Sequence, residues 1–173
     1  MSELKKTIEE MIESGDYSPR ICGILNLIIE DKMNSIELKK YLSQQCITIN
    51  DIKSETLQVI IDYANICLED DILTEQEMRN IQLLILFLRV KAGDFIDYGT
   101  EPEITEILTW QLRKMYNDDV IDKEEALMKN DLQSLFDLSY DQFLDIVNEV
   151  AQESLDRGAD IKNLDTVIVP NKY

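Results

Sequence analysis

Two short acidic stretches of the chain contain residue types that can ligate a divalent cation. They read LEDDILTEQE, from Leu68 to Glu77, and YNDDVIDKEE, from Tyr116 to Glu125. Carboxylate oxygens are the ligands that calcium and magnesium prefer. A calcium-binding EF-hand loop also needs ligands at alternating positions and a glycine at its sharp turn, and neither stretch has them. Calcium binding is therefore the weaker interpretation, and we predict no metal site and no cofactor.

The same two stretches have the pattern of a helix start. Thr74 with Glu77, and Asp122 with Glu125, stand at the spacing of a capping box. In that motif the first side chain accepts an N–H group of the helix and the glutamate accepts the N–H of the capping residue. An amphipathic segment precedes each stretch and an apolar one comes after it. The pattern predicts two connectors, each joining the two helices of one hairpin.

No constellation of residues in the sequence points to catalysis. The sequence has no histidine, the commonest acid–base residue and zinc ligand. Cys22, Cys46 and Cys67 stand singly, which argues against a disulfide framework or a CxxC site and favours buried, inert thiols. The stretch GDFIDYG, from Gly93 to Gly99, lacks the ending of a phosphate-binding loop and is predicted to be a loop between helices. We predict no catalytic residues and no enzyme activity.

Composition and hydrophobic spacing predict an all-α fold. A chain of 173 residues, 45% of them hydrophobic, can bury an adequate core in one domain. Only five glycines and three prolines are available for the turns of a β-rich fold. We expect a compact single domain, residues 1–173, of about seven to eight helices. It would comprise N-terminal helices (1–50), two related hairpin units (51–93 and 100–157) and an extended C-terminal tail (158–173).

Paired helical units with acidic connectors resemble the TerB-like family, small all-helical proteins of the tellurite-resistance group. The resemblance covers roughly residues 50–157, and Asp71 and Asp119 stand where the family usually has glycine. It implies a stress protein that acts through a divalent metal or through partner proteins. The family's acidic positions would fall on Asp70, Glu77, Asp118 and Glu125.

The net charge of the chain argues against two classes of partner. The chain has 35 acidic and 17 basic residues, a net charge of −18. Such a chain is repelled by nucleic acid and by anionic membranes, so neither is expected as a direct partner. The longest apolar run, Ile81 to Val90, is too short to cross a bilayer, which takes about 20 residues. The amino terminus has acids where a signal peptide needs an apolar stretch, so we predict a cytoplasmic protein without membrane insertion.

Acidic residues are aligned on the last predicted helix, Tyr140 to Arg157. Four of them stand four residues apart, and like charges at that spacing repel by roughly 0.2–0.5 kcal/mol per pair. Only Glu153 has a basic residue at the same spacing, Arg157. The row is either a solvated face that keeps the protein in solution or a docking surface for a basic protein. The predicted partner-binding residues are Asp118, Asp119, Glu124, Asp137, Asp141, Asp145, Glu149 and Glu153.

A docking surface of this kind suggests an inhibitor of a cationic enzyme. The most concrete hypothesis is an immunity protein that neutralises a nuclease toxin, because a nuclease is basic where it binds phosphates. The alternative is the TerB-like stress protein. Two further features each allow two interpretations. Trp110 either packs in the core between helices or, if exposed, is an anchor residue of an interface. The β-prone run Val167 to Val169 either straps the helices or pairs with a partner's sheet.

Overall fold

The computed structural model describes residues 3–70 and 72–164 of the protein. Within these ranges the chain is helical and contains no strand, which confirms the predicted all-α fold. Eight of the helices have seven or more residues. The run Val167 to Val169 lies outside the described residues. The helices are α1 (Glu3–Ser14), α2 (Pro19–Ile29), α3 (Ser35–Gln44), α4 (Lys53–Asp70), α5 (Glu75–Phe87), α6 (Asp94–Asp97), α7 (Glu101–Met115), α8 (Lys123–Leu135) and α9 (Tyr140–Arg157).

Both predicted capping boxes are present. The N–H of Thr74 donates to Glu77 Oε2 over 2.7 Å, and the N–H of Glu77 donates back to Thr74 Oγ1 over 3.3 Å. In the second connector the N–H of Asp122 donates to Glu125 Oε2, and the N–H of Glu125 donates to Asp122 Oδ1, both over 2.9 Å. The side chains of the two connectors therefore start α5 and α8, as the spacing predicts.

The region between α5 and α7 differs from the sequence prediction. The stretch predicted as a loop contains the single helical turn α6 between Gly93 and Gly99, both of which have positive φ. Thr100 precedes α7, but its side chain does not cap the helix. The Thr100 hydroxyl instead donates to the carbonyl of Phe95 over 2.8 Å. The backbone of Thr100 has φ of −92° and ψ of 10°, outside the extended region that capping residues adopt, so its hydroxyl does not accept an N–H of α7.

A constant offset of 48 residues relates the two hairpins. It maps the buried Leu73 onto the buried Ile121, and the cap Thr74 onto Asp122. It also maps Arg89 onto Asp137, which come after α5 and α8 in the same left-handed conformation, with φ of 53° and 55°. Helix α4 packs against α7 and α5 packs against α8, so equivalent helices of the two units meet. The interpretation of two related hairpins therefore agrees with the geometry.

The two units differ in the length of the helix that comes after the hairpin. The N–H of Lys91 donates to Asp94 Oδ2, and at the equivalent position the N–H of Ser139 donates to Gln142 Oε1. A helix begins at each of these turns, but α6 ends after four residues whereas α9 continues for 18. The second unit alone therefore has a long third helix.

One hydrophobic core runs from Leu4 in α1 to Leu164 after α9. Leu164 is fully buried, and its carbonyl accepts the hydroxyl of Tyr116 over 3.1 Å. The neighbouring carbonyl of Asn163 accepts the N–H of Ile121 over 2.7 Å. Residues 161–164, at the beginning of the C-terminal tail, thus lie as a strap over the second connector.

The three cysteines have different environments, so the prediction of three buried thiols is confirmed for one of them only. Cys67 is buried, Cys22 is partly buried and Cys46 is exposed. Cys46 lies just past the end of α3 with a φ of 54°, and its side chain reaches solvent at this turn. Burial raises the pKa of the Cys67 thiol to about 12.

We expect iodoacetamide to alkylate Cys46 at neutral pH while Cys67 stays unmodified in the folded protein. The reacting species is the thiolate, and Cys67 is both shielded and protonated. Peptide mass spectrometry over a time course measures the two rates, with urea-unfolded protein as the control in which every thiol reacts. Equal labelling rates in the folded protein would contradict the assigned burial.

Candidate functional site

Helices α7 and α9 lie side by side and run in the same direction. Near their starts, Gln142 Nε2 donates to Glu101 Oε1 over 2.9 Å. Near their ends, Arg113 Nη2 and Nε donate to the two carboxylate oxygens of Glu153 over 2.6 and 3.0 Å. The apolar face of α9 is buried in the core, so its acidic face lies beside the exposed face of α7. The two helices together form one continuous outer surface.

This surface is acidic over most of its length. Asp141, Asp145 and Glu149 are exposed, and none forms an ion pair with any residue of the described ranges. The sequence has no lysine or arginine at positions 101–112 of α7 or 139–156 of α9. Arg113, in the last turn of α7, attracts Glu149 as well as Glu153, but acidic residues still outnumber basic ones on the two helices. We call this the α7–α9 acidic surface; it consists of Glu101, Glu106, Asp141, Asp145 and Glu149.

The end of the acidic row is neutralised, in a way that corrects the sequence expectation. Glu153 pairs with Arg113, and this hydrogen bond holds the pKa of Glu153 below its usual value. Arg157, the predicted partner of Glu153, instead donates to Asp119 Oδ1 over 2.8 Å and to the carbonyl of Tyr116 over 3.1 Å. A tight turn after α7 carries Asp119 to the end of α9, where Arg157 reaches it. Glu153 and Asp119 are thus already paired with bases of the same chain.

Three further predicted residues lie apart from the row. Asp137 accepts the N–H of Gly93 over 2.7 Å, tying the start of α9 to the first hairpin. Asp118 accepts the N–H of Val120 over 3.1 Å within its own turn. Glu124 is exposed in the first turn of α8. Since α9 has 18 residues, about 27 Å of helix separates the Asp137 end from the end at which Asp118 and Asp119 lie. The eight residues do not form one cluster.

Sequence reasoning missed the contribution of α7. Glu101, Glu106 and Trp110 are exposed on this helix, and none was predicted to bind a partner. The absence of bases from positions 101–112 was the available signal. Trp110 is 50% exposed, which decides against a core position and favours the role of interface residue.

The connectors use their glutamates for capping. Glu77 and Glu125 each accept the N–H of their capping residue, Thr74 and Asp122. No group of three or more cysteine, aspartate or glutamate side chains placed to hold a metal ion occurs in the described part of the chain. The arrangement of Glu77 and Glu125 is explained by helix capping alone.

Comparison of the chain with protein-family models, with curated proteins and with solved structures gives no match. The resemblance to the TerB-like family therefore stays a prediction. Among the helices that the structure describes, none is long and apolar enough to span a bilayer. The α7–α9 acidic surface is the feature on which a functional proposal can be built.

Proposed function

We propose that this protein is a non-catalytic, acidic protein-binding module that docks a basic protein on its α7–α9 acidic surface. The most concrete form is an immunity protein that neutralises a nuclease toxin in the cytoplasm. The observation that carries the proposal is the row of three exposed carboxylates, Asp141, Asp145 and Glu149, that no base of the described chain pairs.

The row destabilises the free protein slightly. Asp141 with Asp145, and Asp145 with Glu149, are like charges four residues apart on α9, and each pair repels by roughly 0.2–0.5 kcal/mol. A cationic surface laid along α9 would remove this repulsion and add attraction. An acidic surface that served only solubility would function equally well with its charges dispersed over the molecule.

The surface is also rigidly held. At one end α9 is joined to α7 by the two hydrogen bonds of the Arg113–Glu153 pair, and at the other by the Gln142–Glu101 hydrogen bond. Its inner face is anchored in the core by residues such as Val150 and Ala151. A preorganised row of charges loses little conformational entropy when a partner binds.

A nuclease fits such a surface because its substrate groove must be basic. Carboxylates of the inhibitor can bind the same lysine and arginine side chains with which the nuclease neutralises phosphates. Long-range attraction between the two surfaces also accelerates association, and this acceleration decreases as salt screens the charges.

The double substitution Asp145→Lys with Glu149→Lys tests the surface directly. We expect it to slow association with the basic partner by about 10-fold or more at low ionic strength, because electrostatic steering contributes roughly 10- to 1,000-fold to such rates. Folding should be unaffected, since both side chains are exposed. The rate is measured by stopped-flow mixing with the purified partner, in parallel with inhibition of its nuclease activity.

The matched control is Glu9→Lys with Glu13→Lys. It changes the net charge by the same amount at the same spacing, but on α1, which packs against α2 and α4. The partner is first recovered by pull-down at low and high salt. If both double variants slow association equally, overall charge rather than the α7–α9 acidic surface is responsible. If the recovered partner is not basic, or its nuclease activity persists at saturating inhibitor, the immunity role is wrong.

A further inference from the structure

A groove lies between α4 and α7, on the flank of α7 that faces away from α9. Its volume is about 340 Å³. The buried side chains of Leu68 and Ile107 form its apolar part. Its other lining residues are Asn65, Glu69, Glu106 and Trp110.

The aromatic ring on one side of the groove lies within cation–π distance of a lysine of the same chain. Trp110 is the sole tryptophan of the chain and is half exposed. Lys114 Nζ lies 5.5 Å from the centre of the indole ring, within the range of a cation–π interaction. The electrons of the ring thus already attract a positive charge in the free protein.

The acidic residues that line the groove also favour a cationic ligand. Glu69 and Glu106 are exposed on its two sides, one on α4 and one on α7. Neither forms an ion pair with a residue in the described ranges. Glu106 also belongs to the α7–α9 acidic surface, so the groove opens beside that surface. A basic protein seated on the surface would bring cationic side chains to the groove.

We propose that this groove receives an arginine side chain of the basic partner. The guanidinium would replace Lys114 over the Trp110 ring and donate hydrogen bonds to Glu69 and Glu106, while its aliphatic stem packs on Leu68 and Ile107. Arginine fits better than lysine because its planar group stacks on an aromatic ring and presents several donors to carboxylates at once. This assignment rests on the proposed function, since it names the anchor of the same basic partner.

The test uses two synthetic peptides of equal length and charge, one with arginine and one with lysine at every basic position. Trp110, as the only tryptophan, reports on the groove through its own fluorescence, and the anisotropy of a label on the peptide reports total binding. We expect the arginine peptide to change the emission of Trp110 and to bind about 5-fold or more tightly than the lysine peptide, a difference within the reach of one stacked guanidinium.

Matched variants locate the binding site. Glu69→Gln with Glu106→Gln should abolish the preference for arginine, whereas Glu103→Gln with Glu13→Gln removes the same charge from exposed positions that do not line the groove. Trp110→Leu should have the same effect on the preference, measured by anisotropy. Should this variant misfold, the glutamine variants still decide the question.

The outcomes separate the groove from the α7–α9 acidic surface. Equal binding of both peptides, with no change in Trp110 emission at saturation, overturns the arginine site; if Asp145→Lys with Glu149→Lys then weakens both peptides, the acidic surface itself stands. A response of the groove that the lysine double variant leaves unchanged supports the arginine site and counts against the surface. Absence of binding by either peptide overturns both.

Discussion

Replacing Lys53 by alanine is expected to lower the free energy of unfolding by up to about 3–5 kcal/mol, the cost of removing one partner of a buried ion pair; here Lys53 is buried and Asp94 is 13% exposed. Lys53 is 2% exposed at the start of α4, and its Nζ lies 2.8 Å from Asp94 Oδ2. The same Nζ donates to the carbonyl of Arg89 over 2.8 Å. Alanine would leave the carboxylate and the carbonyl without their common donor, and α4 would lose its link to the end of α5 and to α6.

The loss is measured by urea denaturation with circular dichroism as the readout. Lys32→Ala is the matched control, because Lys32 forms an equally short ion pair with Glu30 but both side chains are about half exposed. Surface pairs contribute little, so this variant should be close to wild type. Lys53→Met with Asp94→Asn removes both charges and should regain part of the lost stability. A loss from Lys53→Ala no larger than that from Lys32→Ala would contradict the role of the pair.

Because of this ion pair, we expect the stability of the fold to depend on pH. Burial alone would raise the pKa of Asp94, but the hydrogen bonds from Lys53 and from the N–H of Lys91 outweigh it and hold the pKa below the usual value. The pair therefore stabilises the fold above the ordinary pKa of aspartate, and this contribution is lost as the pH falls through the lowered pKa. In the Lys53→Ala variant this part of the acid sensitivity should be reduced.

Leu164→Ala should be the other strongly destabilising change, costing about 2–5 kcal/mol because it leaves a cavity in a fully buried position. The position is unusual for such an effect, since it lies in the C-terminal tail, seven residues after the end of α9. Loss of the leucine side chain should loosen the strap and, with it, the hydrogen bonds from Tyr116 and Ile121 to the carbonyls of Leu164 and Asn163.

Ile161→Ala is the matched control in the same short segment. Ile161 is 44% exposed, so its truncation should change stability only slightly. Unfolding curves of the two variants against the parent protein give the comparison. Similar small losses from both would show that the strap contributes little to the fold.

Local features of the fold could be predicted from the sequence, because a helix start depends on residues three positions apart. The pairs Thr74–Glu77 and Asp122–Glu125 formed as expected, and the repeated connectors indicated two related hairpins. Thr100 shows where local sequence is not sufficient: it lies directly before α7, where a threonine can cap a helix, but its buried hydroxyl donates to the carbonyl of Phe95. Such competition depends on tertiary packing that a local pattern does not contain.

The candidate surface was predictable only in part for the same reason. The spacing of Asp141, Asp145 and Glu149 placed them on one face of α9. The pairing of Glu153 with Arg113 depends on the parallel contact of α7 with α9, across 40 residues of sequence. The groove beside Trp110 likewise depends on how α4 packs against α7. Neither contact has a signal in the spacing of residues along the chain.

The helices that come after the two hairpins, α6 and α9, differ in length, and this difference affects the expected stoichiometry of a complex. The helix that comes after the first hairpin, α6, ends at Asp97. The helix that comes after the second hairpin, α9, continues to Arg157. A scaffold built from two similar halves would otherwise offer two similar faces and could bridge two molecules of a partner. Because the acidic helix accompanies one half alone, the proposed docking role predicts that each chain binds a single partner, giving a closed one-to-one complex rather than a chain of cross-linked molecules.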